Sequence, residues 1–206
     1  MLDGALRPLV FGVAVAYLIG AIPVGFFVAR AFGIGDIRRH GSGNIGMTNV
    51  LRTAGKTPAV LTLIGDVAKG MLAVWLAAYA AGVAVADVPA SAVAAVIGNC
   101  WSVFLRFRGG KGVATGLGAL LMLVPWAIVP SAVVFLVVVV TTRYVSLGCL
   151  LGALGVPVVA LVLGYPLGSV IAAALVALII VGRHHQNIAR LWRGTENRLG
   201  RRMTAV

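Results

Sequence analysis

Residues 113–142 read VATGLGALLMLVPWAIVPSAVVFLVVVVTT, an uncharged run with Pro125 and Pro130 near its middle. A helix needs ~20 mostly apolar residues to cross about 30 Å of hydrocarbon. A proline inside a helix removes one backbone hydrogen bond and crowds the preceding turn. The run is therefore one long tilted span or two short spans folded back at the prolines. Everything downstream lands on opposite sides of a membrane in the two cases.

The basic residues decide between them. Working outward, Leu9–Ala29, Ala59–Val85 and Val88–Leu105 each read as a span. Residues 146–181 read as two more, split by the turn-like Gly164-Tyr165-Pro166-Leu167-Gly168. Two short spans in 113–142 bring the total to seven. One face then collects every lysine and arginine except Arg7, before the first span, and Lys69, within the second. A single span would send Arg143 and the basic tail to the other face, against the excess of Lys and Arg in cytoplasmic loops. The expected architecture is an all-α polytopic membrane protein of seven transmembrane helices, some short, with the N-terminus outside and the C-terminus cytoplasmic. Residues 1–206 form a single membrane domain, with cytoplasmic segments at about 30–57, 106–112, 143–145 and a tail at 183–206.

Composition supports this reading. Of 206 residues 61% are apolar and 11% charged, against about 45–50% and about 25% in soluble domains. Disordered, collagen-like, coiled-coil and disulfide-stapled classes are excluded. The first span is too long for a signal-peptide core, and its flank carries Asp3 as well as Arg7, so cleavage is not expected. Cys100 and Cys149 fall near cytoplasmic span ends, where a structural disulfide is not expected.

Three glycine- and cation-rich segments share the cytoplasmic face. In the first, residues 40–52, Gly41, Gly43 and Gly46 formally match a dinucleotide fingerprint, but no βαβ unit surrounds them. What survives is the physics of an anion nest, in which glycines let backbone N–H groups converge. Ser42, Asn44, Thr48 and Asn49 add neutral donors, and Arg52 a planar fork suited to phosphate. The second, residues 104–115, is no Walker loop, yet it sets Gly109-Gly110-Lys111-Gly112 at the start of a predicted helix, where free amides and the helix dipole favour an anion. The third, residues 182–197, puts His184, Asn187 and Leu191 on one helical face, with Arg190, Trp192 and Arg193 suited to an anionic lipid surface.

Asp66 and Lys69 stand within a span, three residues apart on one face. Each would cost roughly 2.5–3.5 kcal/mol at mid-bilayer, so they should turn inward and pair. Five carboxylates in the chain leave no acidic cluster for a two-metal site, and no His/Cys cluster has metal-ligand spacing. No histidine is followed five positions later by Asp, so the His-x4-Asp acyltransferase signature is missing. Two classes remain, an enzyme joining a phosphorylated polar substrate to a lipidic one, and a membrane carrier for a small organic phosphate. Carriers usually show repeats and broken helices near the midplane, whereas these motifs crowd one face.

The string Gly41-Ser42-Gly43-Asn44-Ile45-Gly46 through Thr48-Asn49-Val50 and Arg52, then Phe107-Arg108-Gly109-Gly110-Lys111-Gly112-Val113-Ala114-Thr115, then His184, Asn187-Ile188 and Arg190-Leu191 closing on Gly194-Thr195-Glu196, resembles the bacterial acyl-phosphate:glycerol-3-phosphate acyltransferases, the PlsY family. The resemblance covers essentially the whole chain, Asp66-x-x-Lys69-Gly70 included. It implies transfer of an acyl chain from acyl-phosphate to the sn-1 hydroxyl of glycerol 3-phosphate, giving lysophosphatidic acid and phosphate for phospholipid synthesis. It implies no metal, no cofactor and no acyl-enzyme, since acyl-phosphate is already an activated anhydride.

On this reading Ser42, Lys111, His184 and Asn187 are the catalytic candidates. Gly43, Asn44, Asn49, Arg52, Gly109, Gly110, Gly112 and Ser146 would hold substrate. The implied location is the bacterial inner membrane with the site facing the cytoplasm. The expected partners are the two substrates and membrane lipids, with no nucleic acid and no protein partner indicated. Asn99, Met47 and His185-Gln186 stand where the family usually has His, Ala and Arg-Glu. Asn99 can donate and accept hydrogen bonds but cannot titrate.

Overall fold

The computed structural model describes residues 2–200, without the side chains of residues 2–7 and 86, so Arg201 and Arg202 lie outside the described residues. The described residues contain ten α-helices and no strand. These are α1 (Leu2–Ala21), α2 (Val24–Ala31), α3 (Met47–Ala54), α4 (Lys56–Ala81), α5 (Pro89–Cys100), α6 (Val113–Leu123), α7 (Pro125–Thr142), α8 (Val145–Val162), α9 (Leu167–Arg183) and α10 (His185–Trp192).

The 113–142 run divides. α6 stops at Leu123, and Pro125 opens α7, a first-turn position where the missing N–H has no helical partner to lose. Pro130 is carried inside α7. Four segments are long and apolar enough to cross a membrane on their own: Pro8–Ala31, Lys56–Ala81, Pro125–Thr142 and Val145–Val162. α9 joins them only when counted with α10 across a 61° bend, while Pro89–Leu105 and Val113–Leu123 are shorter. Large side chains such as Phe11, Trp126, Val140, Val162 and Leu178 are exposed around the bundle, as a lipid-facing surface requires.

The first span is not the unbroken helix its composition suggests. It is interrupted at Ile22-Pro23, between α1 and α2. In hydrocarbon the carbonyls freed by such a break need donors from elsewhere in the protein. Lys69 on α4 donates to the Ile22 carbonyl at 2.7 Å, and Ser102 Oγ to the Ala21 carbonyl at 2.5 Å. Lys69 also pairs with Asp66 at 2.7 Å and donates to Asn99 Oδ1 at 2.9 Å. The expected inward ion pair is thus present, and it also repairs the α1–α2 break. Removing one partner of such a buried pair typically costs about 3–5 kcal/mol.

α1 packs on α4 and α5, α4 on α6, α5 on α9, and α7 pairs with α8, which continues onto α9. The α4–α6 crossing is close because a Cβ on Gly118 would strike the Val67 carbonyl and one on Gly70 the Thr115 carbonyl; small residues let membrane helices approach this way. Val74, Val96, Leu120, Val124, Val156 and Val176 form the core between α4, α5, α6, α8 and α9.

Candidate active site

The loop before α3 is organised from within. Asp36 Oδ1 accepts the Arg38 N–H at 3.0 Å, and the Arg38 guanidinium reaches the same carboxylate at 2.7 and 2.9 Å. These bonds, with the Arg38 side chain first, hold the Asp36 carboxyl down at a pKa of about 2. Asn49, on the first turn of α3, reaches back into the loop. Its Nδ2 donates to the carbonyls of Asn44 and His40 at 2.8 and 3.0 Å, and its Oδ1 accepts the Ser42 N–H at 2.8 Å. Asn49 was expected to hold a substrate phosphate; it lines the cavity described below, and its buried amide also shapes the loop. Asn44 Oδ1 likewise takes the Gly46 N–H at 2.8 Å.

The Gly-Gly-Lys-Gly segment differs from expectation in the same sense. α5 ends at Cys100, which leaves its last carbonyls without helical partners. The Gly109 and Gly110 amides fill that need, donating to Cys100 and Asn99 at 3.2 and 2.8 Å. Their own carbonyls accept from Arg183 at 3.4 and 3.2 Å. The anion cradle expected over Gly109–Gly112 therefore contracts to the amides of Lys111 and Gly112 and the first turn of α6. Gly112, at φ +82°, makes the turn into that helix.

At the end of α9 the chain bends by 61° at His184. His184 and Asn187 thus meet across a corner rather than on one continuous helical face, yet both line the same cavity. His184 Nδ1 lies 2.8 Å from the Ile180 carbonyl. A carbonyl only accepts, so Nδ1 carries the proton and Nε2 is left as an acceptor. Burial lowers the ring's pKa to about 4, so it is neutral at physiological pH.

Asn187 is held from both sides. Lys111 Nζ donates to its Oδ1, and its Nδ2 donates to Glu196 Oε1 at 2.6 Å. Glu196 also accepts from Ser146 Oγ at 2.8 Å and Arg190 Nε at 2.7 Å. Burial works to raise the Glu196 pKa, but these three donors outweigh it and hold the carboxyl below its ordinary range. Lys111 moves down to about 8, chiefly through burial and then repulsion from Arg190. Arg52, half-buried, is lowered by burial and takes part in none of the three ion pairs among the described residues.

Glu196 and Arg190 belong to the motif quoted above but were given no role in the site. A further signal was available: Glu196 is the only carboxylate in the arginine-rich tail after α9. It draws that tail back over the site. Leu199 N–H then reaches the Arg143 carbonyl at 2.8 Å, and Arg198 stacks on the Tyr144 ring at 5.1 Å.

These groups surround a cavity of about 350 Å³ with two unlike ends. Its head carries Ser42, Arg52, Lys111, His184, Asn187 and Arg190; Asn44, Gly110, Gly112 and Ser146 also line it. Its arm runs between α6, α7, α8 and α9 past Leu120, Ile128, Phe135, Gly152, Val156 and Val176. From Val145 to Val156 the arm follows α8 for about 16 Å at the helical rise. Gly43 and Gly109 face a wider basic depression next door. Among the described residues no group of three His, Cys, Asp or Glu side chains is placed to hold a metal ion. The head suits phosphate-bearing anions and the arm a hydrocarbon chain.

The family profile described as glycerol-3-phosphate acyltransferase matches residues 10–194. A glycerol-3-phosphate acyltransferase of Syntrophotalea carbinolica is 49% identical over 89% of this chain and 93% of its own. One from Thermus thermophilus is 48% identical over 95% and 98%. Among solved structures, PlsY, an integral membrane glycerol 3-phosphate acyltransferase, matches in its glycerol 3-phosphate form. The TM-score is 0.85 at 36% identity, covering 96% of each chain. Its lysophosphatidic acid form matches with TM-score 0.84 at 35% identity over 93% and 95%.

Proposed function

The chain belongs to the glycerol-3-phosphate acyltransferase family, and on that premise we propose that it moves a fatty acyl chain from acyl-phosphate to the sn-1 hydroxyl of glycerol 3-phosphate, giving lysophosphatidic acid and inorganic phosphate. The observation that carries this reading is the single cavity that joins a basic, donor-rich head to an apolar arm. Relatives named for the same acceptor, and solved forms named for that acceptor and for lysophosphatidic acid, support it. The setting we propose is a bacterial inner membrane crossed seven times, N-terminus outside, with the head opening to the cytoplasm.

The chemistry follows from the side chains. The acyl chain lies in the arm with its carbonyl carbon at the head. Arg52 and Arg190 hold the acceptor's phosphate, and Lys111 with the first amides of α6 holds the donor's. Two anions that repel in water are thereby brought together, and charge building on the departing phosphate meets dipoles already in place. The acceptor hydroxyl donates a hydrogen bond to His184 Nε2, which fixes its lone pair toward the carbonyl. Its oxygen attacks the carbonyl carbon, the carbon–oxygen bond to phosphate breaks, and the new ester forms. A ring with a pKa of about 4 is a weak base, since a catalytic pKa works best near the operating pH. The proton that reaches Nε2 is therefore passed on to a phosphate oxygen, whose second ionisation lies near ~6, and the ring ends neutral. No acyl-enzyme, metal or cofactor is required, because the anhydride is already activated.

The test is a donor swap with purified protein. Phosphate release should require both acyl-phosphate and glycerol 3-phosphate. Equal rates with acyl-CoA or acyl carrier protein would overturn the donor assignment. Uptake of glycerol 3-phosphate into proteoliposomes without any donor would mark a carrier instead.

A further inference from the structure

Beside the catalytic head lies a second, wider depression of about 1100 Å³. Arg39, Arg106, Arg108 and Arg183 line it and not the head, Ser42, Asn44, Lys111 and Arg190 are shared between the two, and its one carboxylate, Asp36, is already engaged by Arg38 at 2.7 Å. Its rim carries Phe27, Phe104 and Phe107, which are 55%, 58% and 59% exposed. We propose that this depression docks the phosphate headgroup of an anionic membrane phospholipid.

The backbone supplies an independent reason. Arg106 and Phe107 are consecutive non-glycine residues at φ 53° and 62°. Side chains disfavour that region, and such outliers persist where surrounding structure holds them. Here the Phe107 N–H donates to the Ser102 carbonyl at 2.8 Å and the Arg108 N–H to the Leu105 carbonyl at 3.2 Å. Leu105 is buried beneath. The segment is thus pinned so that Phe104, Arg106, Phe107 and Arg108 all stand outward, rings and guanidinium groups together.

A small soluble anion would use the arginines and leave the phenylalanines idle. A lipid supplies both halves, a phosphate for the guanidinium fork and hydrocarbon at the interface for the rings. The arginine excess is the charge complement of an anionic leaflet, a placement that rests on the topology proposed above. The site also touches the machinery. Arg183, which stacks on Trp101 at 5.3 Å, donates to the carbonyls of Gly109 and Gly110, the residues that lead into Lys111.

The experiment titrates the full-length detergent-purified protein with phosphatidylglycerol and with phosphatidylcholine, reading bound lipid by native mass spectrometry. Each arginine near an anionic headgroup contributes about a fivefold factor. The wild type should prefer phosphatidylglycerol by at least tenfold, and R106Q/R108Q should lose roughly 25-fold of that affinity. K56Q, at an exposed position outside the depression, should change it less than about twofold, and an unchanged unfolding midpoint verifies that the double variant folds. Equal binding of the two lipids, or undiminished preference in R106Q/R108Q, overturns the proposal. So does displacement of phosphatidylglycerol by millimolar inorganic phosphate, which would make this a site for free anions. The readout is lipid binding, so it stands or falls separately from the acyl donor.

Discussion

Glu196→Gln perturbs one carboxylate without changing its shape. In the folded protein that carboxylate accepts from Ser146, Asn187 and Arg190 at 2.8, 2.6 and 2.7 Å. A glutamine offers one accepting oxygen, and its amide nitrogen must face at least one of those donors. Hydrogen bonds to a charged group contribute about 1.5–3 kcal/mol each. The loss of one, passed through Asn187 to Lys111, should lower kcat/KM by roughly 10–150-fold. A second effect separates this from simple loosening. Glu196 is one of the charges that hold the Lys111 pKa up against burial. Removing it should pull that pKa below about 8 and move the alkaline limb of the rate profile to lower pH. The assay is phosphate release by purified protein across pH, with an unfolding midpoint measured alongside. Activity within about threefold of wild type and an unmoved alkaline limb would refute the linkage.

Other outcomes follow from the same geometry. Lys111→Ala and Arg52→Ala should each cut transfer by about two orders of magnitude or more with the protein still inserted, as purified-enzyme kinetics would show. Transfer should plateau between a pH of about 6, below which the proton-accepting phosphate oxygen is itself protonated, and about 8, above which Lys111 loses its charge. It should fall further toward about 4 as His184 gains a proton at Nε2. In unfolding measurements His184 contributes stability that is full above its ordinary pKa and lost as pH falls toward about 4, because the folded state resists protonation. At the buried pair, Lys69→Met and Asp66→Asn should each destabilise by about 3–5 kcal/mol, and the double variant by less than their sum. Additive losses in thermal unfolding would contradict the pairing.

The division at Pro125 was legible because the proline sits where one helix ends and the next begins. The break at Pro23 was not, since residues 9–29 stay apolar across it. What stabilises it, Lys69 and Ser102, lies far along the chain. Asp66 and Lys69 announced themselves through cost and spacing. Asn49 and the amides of Gly109 and Gly110 make bonds within the protein that the sequence did not announce. A local density of donors does not say which of them the loop itself will consume. For the two glycines the consumer is the orphaned end of α5. Glu196 was hidden because its role exists only once the tail folds back onto Ser146 and Asn187.

The central claim is that the bond broken joins acyl carbon to phosphate oxygen. Purified protein given glycerol 3-phosphate and acyl-phosphate carrying labelled phosphorus tests this directly. All label should emerge as inorganic phosphate while lysophosphatidic acid forms unlabelled in equal amount. Label retained in the lipid product, or label released without an acceptor, would contradict the account.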